Sequence, residues 1–278
     1  MKPVTRALDD ATRLLSQTSD TPRLDAELLM AEALHIDRDR LLLDPQHGAV
    51  PKRFSKMVER RAKGEPVAYI TGRRAFWNID LHVGPGVLVP RPDSEVLIAS
   101  AIDHFEGTGG PNRILDLGTG PGTLLLAALD VWPKASGIGT DLSRSALSYA
   151  SANARRLGFE DRLRFKLGNW ADGVTESFDL ILCNPPYVAE GAELGPGVRE
   201  YEPDEALFAG ETGLDAYRAL APQLPKLLNN GGLAAVEIGP DQGDAVTHLL
   251  ARGGLQARIA RDFANRQRAV LLTWATTK

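Results

Sequence analysis

Phe178-Asp179-Leu180-Ile181-Leu182-Cys183-Asn184-Pro185-Pro186-Tyr187 is the stretch that decides how this chain folds. Its first six residues form a short apolar run that stops abruptly at two prolines, the pattern of a buried strand. Neither Pro185 nor Pro186 carries the N–H that a sheet ladder needs, so the strand must end there. In an open α/β sheet, ligands bind outside the carboxyl ends of the strands. The loop Asn184-Pro185-Pro186-Tyr187 would set an amide oxygen, a fixed main-chain carbonyl and an aromatic face at such an end. Together these can hold a planar N–H₂ group still.

Working outward, strands read at Arg113–Leu117, Gly137–Thr140, Leu163–Leu167, Phe178–Cys183 and Leu233–Ile238. Helices read between and after them at Gly122–Val131, Ser143–Leu157, Leu214–Leu228 and Asp241–Arg252. This alternation predicts an α/β fold: a Rossmann-like, mostly parallel sheet with helices on both faces. Gln256–Phe263 and Ala269–Trp274 follow without a helix between them and predict an antiparallel hairpin at the C-terminal sheet edge. The N-terminal part reads as a small helical bundle. Val4, Leu8, Ala11 and Leu15 share one helical face, Leu24, Leu28, Ala31 and Leu34 repeat the spacing, and a third helix runs from Pro51 to Lys63. From Ala75 to Val89 the period changes to that of a β-hairpin, with its turn expected at Gly84-Pro85-Gly86. Asp93-Ser94 is placed to cap the helix that follows. The expected domains are therefore a helical one over residues 1–73, a hairpin linker over 74–90 and an α/β domain over 91–278.

The chain has 278 residues, 43% hydrophobic and 24% charged, enough for a sizeable core. Its formal net charge of −4 argues against tight non-specific binding of nucleic acid by the whole surface. The single cysteine, Cys183, excludes internal disulfides and multi-cysteine metal sites, and reads as a small core residue. His35, His47, His82, His104 and His248 are scattered without ligand spacing, so no metal site is expected. The start, Met1 to Arg6, leads into an amphipathic pattern and not an apolar signal sequence, and no run is long enough to span a membrane. A cytoplasmic protein is expected. The segment Lys52 to Arg74 carries Lys52, Arg53, Lys56, Arg60, Arg61, Lys63, Arg73 and Arg74 against Glu59 and Glu65. It reads either as a solvated face or as a docking surface for an acidic partner.

Three further groups of residues carry chemistry. Asp116-Leu117-Gly118-Thr119-Gly120-Pro121-Gly122 joins a strand to a helix through alternate glycines, which let a ligand approach the backbone. The spacing differs from the dinucleotide fingerprint. Pro121 removes an N–H donor, and the leading Asp116 disfavours a diphosphate. An acidic residue there suits a sulfonium, so the turn favours S-adenosylmethionine over NAD. Asp141, about 20 residues further on, is placed to accept the ribose hydroxyls, with a helix cap before Ser143 as the alternative. Asn169 can bond an adenine edge and Trp170 can cover the ring, unless Trp170 is plain core. In the Asn184 loop, the side-chain oxygen and the Pro185 carbonyl can each accept one N–H, aiming the nitrogen lone pair outward. Tyr187 can pack on the planar group. Chemistry alone leaves both an adenine amine and a glutamine amide as acceptors.

These residues resemble a known family, the HemK-type bacterial methyltransferases that modify the glutamine of peptide-chain release factors. The resemblance runs along almost the whole chain. It includes Leu24-Asp25-Ala26-Glu27-Leu28-Leu29, Pro66 to Gly72, Phe76-Trp77, Val89 to Glu95, the glycine turn, the Asn-Pro-Pro-Tyr loop and Tyr201-Glu202-Pro203. It implies a class I methyltransferase sheet and N5-methylation of the glutamine in a Gly-Gly-Gln loop, the factor being recognised by the helical domain and hairpin. By matching position, Gly118, Thr119, Gly120, Pro121, Gly122, Asp141, Asn169, Trp170 and Asn184 would bind the cofactor. Asn184, Pro185, Pro186 and Tyr187 would line the glutamine pocket, with Asn184, Pro185 and Tyr187 catalytic. Asn169 stands where the family usually has Asp, and Asp93-Ser94-Glu95 where Glu-Thr-Glu is common. A sister enzyme acting on a ribosomal protein, and a DNA adenine methyltransferase, are the alternatives. A monomer without direct nucleic-acid contact is expected.

Overall fold

The structure is a computed structural model that describes residues 3–44, 49–262 and 264–275. His47 and the expected strand end at Phe263 lie outside the described residues. Two compact units carry the chain: Met1–Arg73 with Val83–Pro85 and Glu193–Glu202, and Arg74–His82 with Gly86–Ala192 and Pro203–Lys278.

The first unit is helical: α1 Pro3–Leu15, α2 Pro22–Leu34, α3 Arg38–Leu43, α4 Lys52–Ala62 and α5 Val67–Thr71. Val4, Leu8, Ala11 and Leu15 of α1 are buried as their spacing predicts. They share one apolar core with Leu29 and Met30 of α2 and Phe54, Met57 and Val58 of α4. The face expected for α2 is wrong: Leu24 is exposed, and the helix buries Asp25, Ala26, Glu27, Leu29, Met30, Ala31 and Ala33. A periodicity reading cannot foresee this, because two of the buried residues are acidic. Each is held by partners that repay its desolvation. Asp25 accepts from Arg61 Nε at 2.7 Å and Ser19 Oγ at 2.7 Å. Glu27 accepts from Arg23 Nε at 2.6 Å and Arg38 Nη2 at 2.8 Å.

The second unit opens with β1 Arg73–Phe76 and β2 Ile79–His82, a two-stranded sheet. Its turn is Trp77-Asn78 and not the expected Gly84-Pro85-Gly86. Trp77 itself takes the left-handed conformation, at φ 52°, that the tight connection needs. Its N–H is held by Glu95 Oε1 at 3.0 Å. Then come α6 Glu95–His104, β3 Arg113–Leu117, α7 Thr123–Val131, β4 Ser136–Asp141, α8 Arg144–Leu157, β5 Leu163–Leu167 and β6 Phe178–Cys183. After α9 Val198–Tyr201, which belongs to the first unit, the chain continues through α10 Asp215–Leu220, α11 Leu224–Leu227 and β7 Leu228–Glu237. It ends with α12 Gly243–Leu250, β8 Leu255–Arg261 and β9 Gln267–Trp274.

The expected single helix over 214–228 is thus two short ones. Pro222 lacks the N–H needed to continue α10, and Pro225 starts α11 near its first position. β7 begins earlier than expected because Asn229-Asn230-Gly231-Gly232, which reads as a turn, lies within the strand, and its pairing with β6 is irregular there.

The seven-stranded sheet has the order β5-β4-β3-β6-β7-β9-β8. Strands β3 to β7 are parallel, and β9 joins β7 and β8 antiparallel. The C-terminal hairpin is therefore at the edge as expected, with its second strand on the inside. Because β4 and β5 lie to one side of β3 and β6 to the other, the strand order reverses at β3, which opens a crevice at the carboxyl ends. Register fixes what meets there. Leu117 pairs with Thr140 and with Cys183, and Cys183 pairs with Val236. Gly118, Asp141, Asn184 and Glu237 each follow one of these residues and so come to one level. Among the described residues, no helix is long and apolar enough to cross a membrane.

Candidate active site

Gly118, Gly120 and Gly122 all have positive φ, at 71°, 56° and 90°. The turn therefore demands glycine at alternate positions, as its spacing suggested. At Gly120 a Cβ would meet nothing within 4 Å, so the backbone there faces open space. Ahead of the turn, Asp116 is only 1% exposed. Its Oδ2 accepts from Thr119 Oγ1 at 2.6 Å and from the Leu125 N–H at 3.2 Å. Oδ1 has no hydrogen-bond partner among the described residues. Burial raises this carboxyl to about 7.

Asp141 ties two loops together, accepting from Gly120 N and from Ser143 N, both at 2.8 Å. The cap of α8 is Ser143, whose Oγ accepts from Ala146 N at 3.2 Å. Capping therefore does not use up Asp141, and burial raises its pKa. Gly168 N donates to the Asp141 carbonyl at 3.0 Å, which draws the loop after β5 to the same place. Trp170 sits at φ 49°, a conformation that costs a bulky residue energy. Its ring covers the glycine turn, since a Cβ on Gly118 would lie 3.6 Å from Trp170 Cζ3. Its inner side packs on the apolar core, so both readings of Trp170 hold at once.

After β6, the Asn184 Nδ2 donates to Ser94 Oγ at 3.1 Å. Ser94 makes no cap bond to α6, contrary to expectation; its side chain is turned to Asn184. Tyr187 is anchored through its carbonyl, which accepts from Gln242 Nε2 at 3.0 Å. Burial raises its phenol pKa.

A cavity of about 590 Å³ lies over these residues. All of its lining comes from the second unit, and the volume is that of a small-molecule site. Gly118, Thr119, Gly120, Pro121, Asp141, Asn169, Trp170, Asn184 and Pro186 all line it, as do Asp116, Arg91 and Ser94. Gly122, Pro185 and Tyr187 are not among the lining residues. Gly122 caps α7, Pro185 is buried, and Tyr187 packs against the core.

The PrmC N-terminal domain family matches residues 6–72, and the Methyltransferase domain family matches residues 111–241. The release factor glutamine methyltransferase of Rhodospirillum rubrum is 42% identical over 96% of this chain and 83% of its own length. That of Caulobacter vibrioides is 40% identical over 93% of this chain and 92% of its own. The chain belongs to the release factor glutamine methyltransferase family. A solved methyltransferase from Pyrococcus furiosus shares the fold, with a TM-score of 0.54, 19% identity and coverage of 78% of this chain and 98% of that one.

Two residues of this methyltransferase chain were missed in the sequence as site residues. Ser94 has the local sequence pattern of a helix cap. Glu237 lies in a run that reads as an apolar strand, yet it is a carboxylate only 1% exposed, and its Oε2 has no partner among the described residues. Burial raises it to about 7, against the hydrogen bonds of Ser94 and Tyr187, which lower it. A lone acidic residue in Leu233-Ala234-Ala235-Val236-Glu237-Ile238 was the available signal, since carboxylates are almost never fully buried without a reason.

Proposed function

We propose that this chain methylates the N5 side-chain amide of the glutamine in the Gly-Gly-Gln motif of peptide-chain release factors, with Asn184 as the residue that holds the amide. The cofactor is S-adenosylmethionine, which supplies a methyl group on a positively charged sulfur. The residues of the cavity fit such a group. The unpartnered Oδ1 of buried Asp116 disfavours a phosphate there and accommodates a cation. Asp141 retains lone pairs for ribose hydroxyls, the open backbone at Gly120 allows close approach, and Asn169 and Trp170 bound the adenine end.

An amide nitrogen is a poor nucleophile because its lone pair is shared with the carbonyl. Asn184 Oδ1 and the Pro185 carbonyl accept its two N–H groups and hold the lone pair toward the cofactor. Both acceptors strengthen as the nitrogen becomes more positive, so they stabilise the transition state more than the ground state. The nitrogen, acidic once methylated, gives up one of its two protons, which leaves a neutral N-methyl amide. Pro186 walls the pocket, and Tyr187 keeps the loop in place from behind. The observation that carries the reading is the Asn184 amide, tethered by its nitrogen to Ser94 and so presenting its oxygen away from that bond.

Residues 1–73 serve in factor recognition, 74–90 as linker and 91–278 as the catalytic domain. The enzyme acts as a cytoplasmic monomer on a protein partner, without direct contact to nucleic acid. Part of the basic segment is already spent inside its own unit. Arg53 donates to the Ala33 carbonyl, Arg60 pairs with Glu65 and Arg61 with Asp25. Exposed Lys52, Lys56 and Lys63 are what that segment offers an acidic partner. With labelled cofactor and a purified release factor, Asn184→Ala should lose about 100-fold or more in turnover while cofactor affinity stays within about three-fold. Parallel loss of both would place Asn184 in cofactor binding or structure instead.

A further inference from the structure

Glu237 ends β7 one residue beyond Val236, the partner of Cys183, and so lies level with Asn184 in the adjacent strand. Its side chain is sealed from solvent at 1% exposure. The side chains of Ser94 and Tyr187 act on its carboxyl to favour the charged form, and the Tyr217 hydroxyl donates to its main-chain carbonyl at 3.0 Å. The other charged or titratable groups that act on it are Asp93, Arg268 and buried Cys183. Arg268 is occupied by Asp93 at 2.8 Å and Asp262 at 3.1 Å. A carboxyl so placed is costly to bury and is not required to close an ion pair.

We propose that Glu237 is a positioning residue that acts through Ser94 to fix which way round the Asn184 amide stands. The inference rests on the reading that Asn184 Oδ1 accepts an N–H of the substrate. Ser94 has a single hydroxyl hydrogen. With a carboxylate at 237, that hydrogen is drawn to Glu237, and the Ser94 oxygen is left as an acceptor. Asn184 must then turn its NH₂ toward Ser94, and its planar amide sends Oδ1 the opposite way. Without an acceptor at 237, the Ser94 hydrogen is free to bond Asn184 Oδ1. The amide can then flip and offer donors to a substrate group that needs acceptors. Burial that raises this carboxyl to about 7 implies that the relay is fully set only on the alkaline side of neutrality.

The test compares wild type, Glu237→Leu, which removes the acceptor, Ser94→Ala and the double variant, each as the full chain, with S-adenosylmethionine and a purified release factor. Each single variant should lose at least about tenfold in kcat with both KM values within about three-fold. The double variant should be no worse than about two-fold below the poorer single, because both break one relay. Independently of turnover, the Asn184 side-chain N–H signals, assigned by their loss in Asn184→Ala, should exchange with solvent faster in either variant. Wild-type kcat in Glu237→Leu, losses that multiply in the double, or a loss carried by KM would overturn the relay. Should Glu237→Leu fail to fold, Glu237→Gln, which keeps an acceptor but no titratable carboxyl, decides: kcat should lose the fall that wild type shows on the acid side of neutrality, and an unchanged pH profile overturns the proposal. A wild type that binds cofactor but methylates no release factor would refute the reaction itself, a result distinct from all of these.

Discussion

Glu237→Gln should remove much of the pH dependence of stability between about pH 5 and 8. In the folded protein, burial lifts this carboxyl from 4.5 to about 7. At about 1.4 kcal/mol per pH unit, that difference is worth about 3 kcal/mol. The sign follows from proton uptake. Between the two values the folded state keeps a proton that the unfolded chain has lost, so raising the pH destabilises the fold. The contribution is fully present below about 4.5 and lost as pH rises through about 7. About 2.5 kcal/mol of it falls between pH 5 and 8. Asp116, raised from 3.8 to about 7 by its own burial, adds a fall of the same direction. It is common to both proteins and cancels in their difference. Urea unfolding of wild type and variant at about pH 5, 6, 7 and 8 measures that difference. The unfolding free energy of Glu237→Gln relative to wild type should rise by about 2.5 kcal/mol across the series. A difference that stays constant, or that falls, would refute the placement of Glu237 as a buried carboxyl of raised pKa.

Asp141→Ala should raise the dissociation constant for S-adenosylmethionine by about 10- to 100-fold in calorimetry, the worth of hydrogen bonds to a charged acceptor. Gly122→Ala should cost about 2–4 kcal/mol in denaturant unfolding. Its φ is 90°, and the new Cβ would stand 2.7 Å from Leu126 Cδ1. Replacing Lys52, Lys56 and Lys63 together by Glu should raise the KM for the release factor by about tenfold, more at low salt, and leave cofactor affinity unchanged.

Much of the catalytic unit could be read from residues alone because parallel strands are buried on both faces. Arg113–Leu117 and Phe178–Cys183 begin and end where their apolar runs and the following Gly and Pro stops put them. The glycine turn was legible for the same local reason: only glycine tolerates its backbone. What could not be read depended on partners far along the chain. The buried face of α2 is set by Arg61 and Arg38 meeting Asp25 and Glu27. Trp77 takes a left-handed turn that a bulky residue avoids unless its surroundings hold it, here through Glu95. Ser94 has the local pattern of a cap, but its hydroxyl is claimed by Asn184, 90 positions away. Glu237 is hidden in a strand that reads as core. The register between β6 and β7, invisible before pairing is known, is what brings it beside Asn184.

The most direct test is to incubate the purified protein with S-adenosylmethionine and a release factor, then map the modified residue by mass spectrometry. One added methyl group on the side-chain amide of the Gly-Gly-Gln glutamine, absent with Asn184→Ala, is the predicted result. An unmodified glutamine, or a methyl group on any other residue, would contradict it.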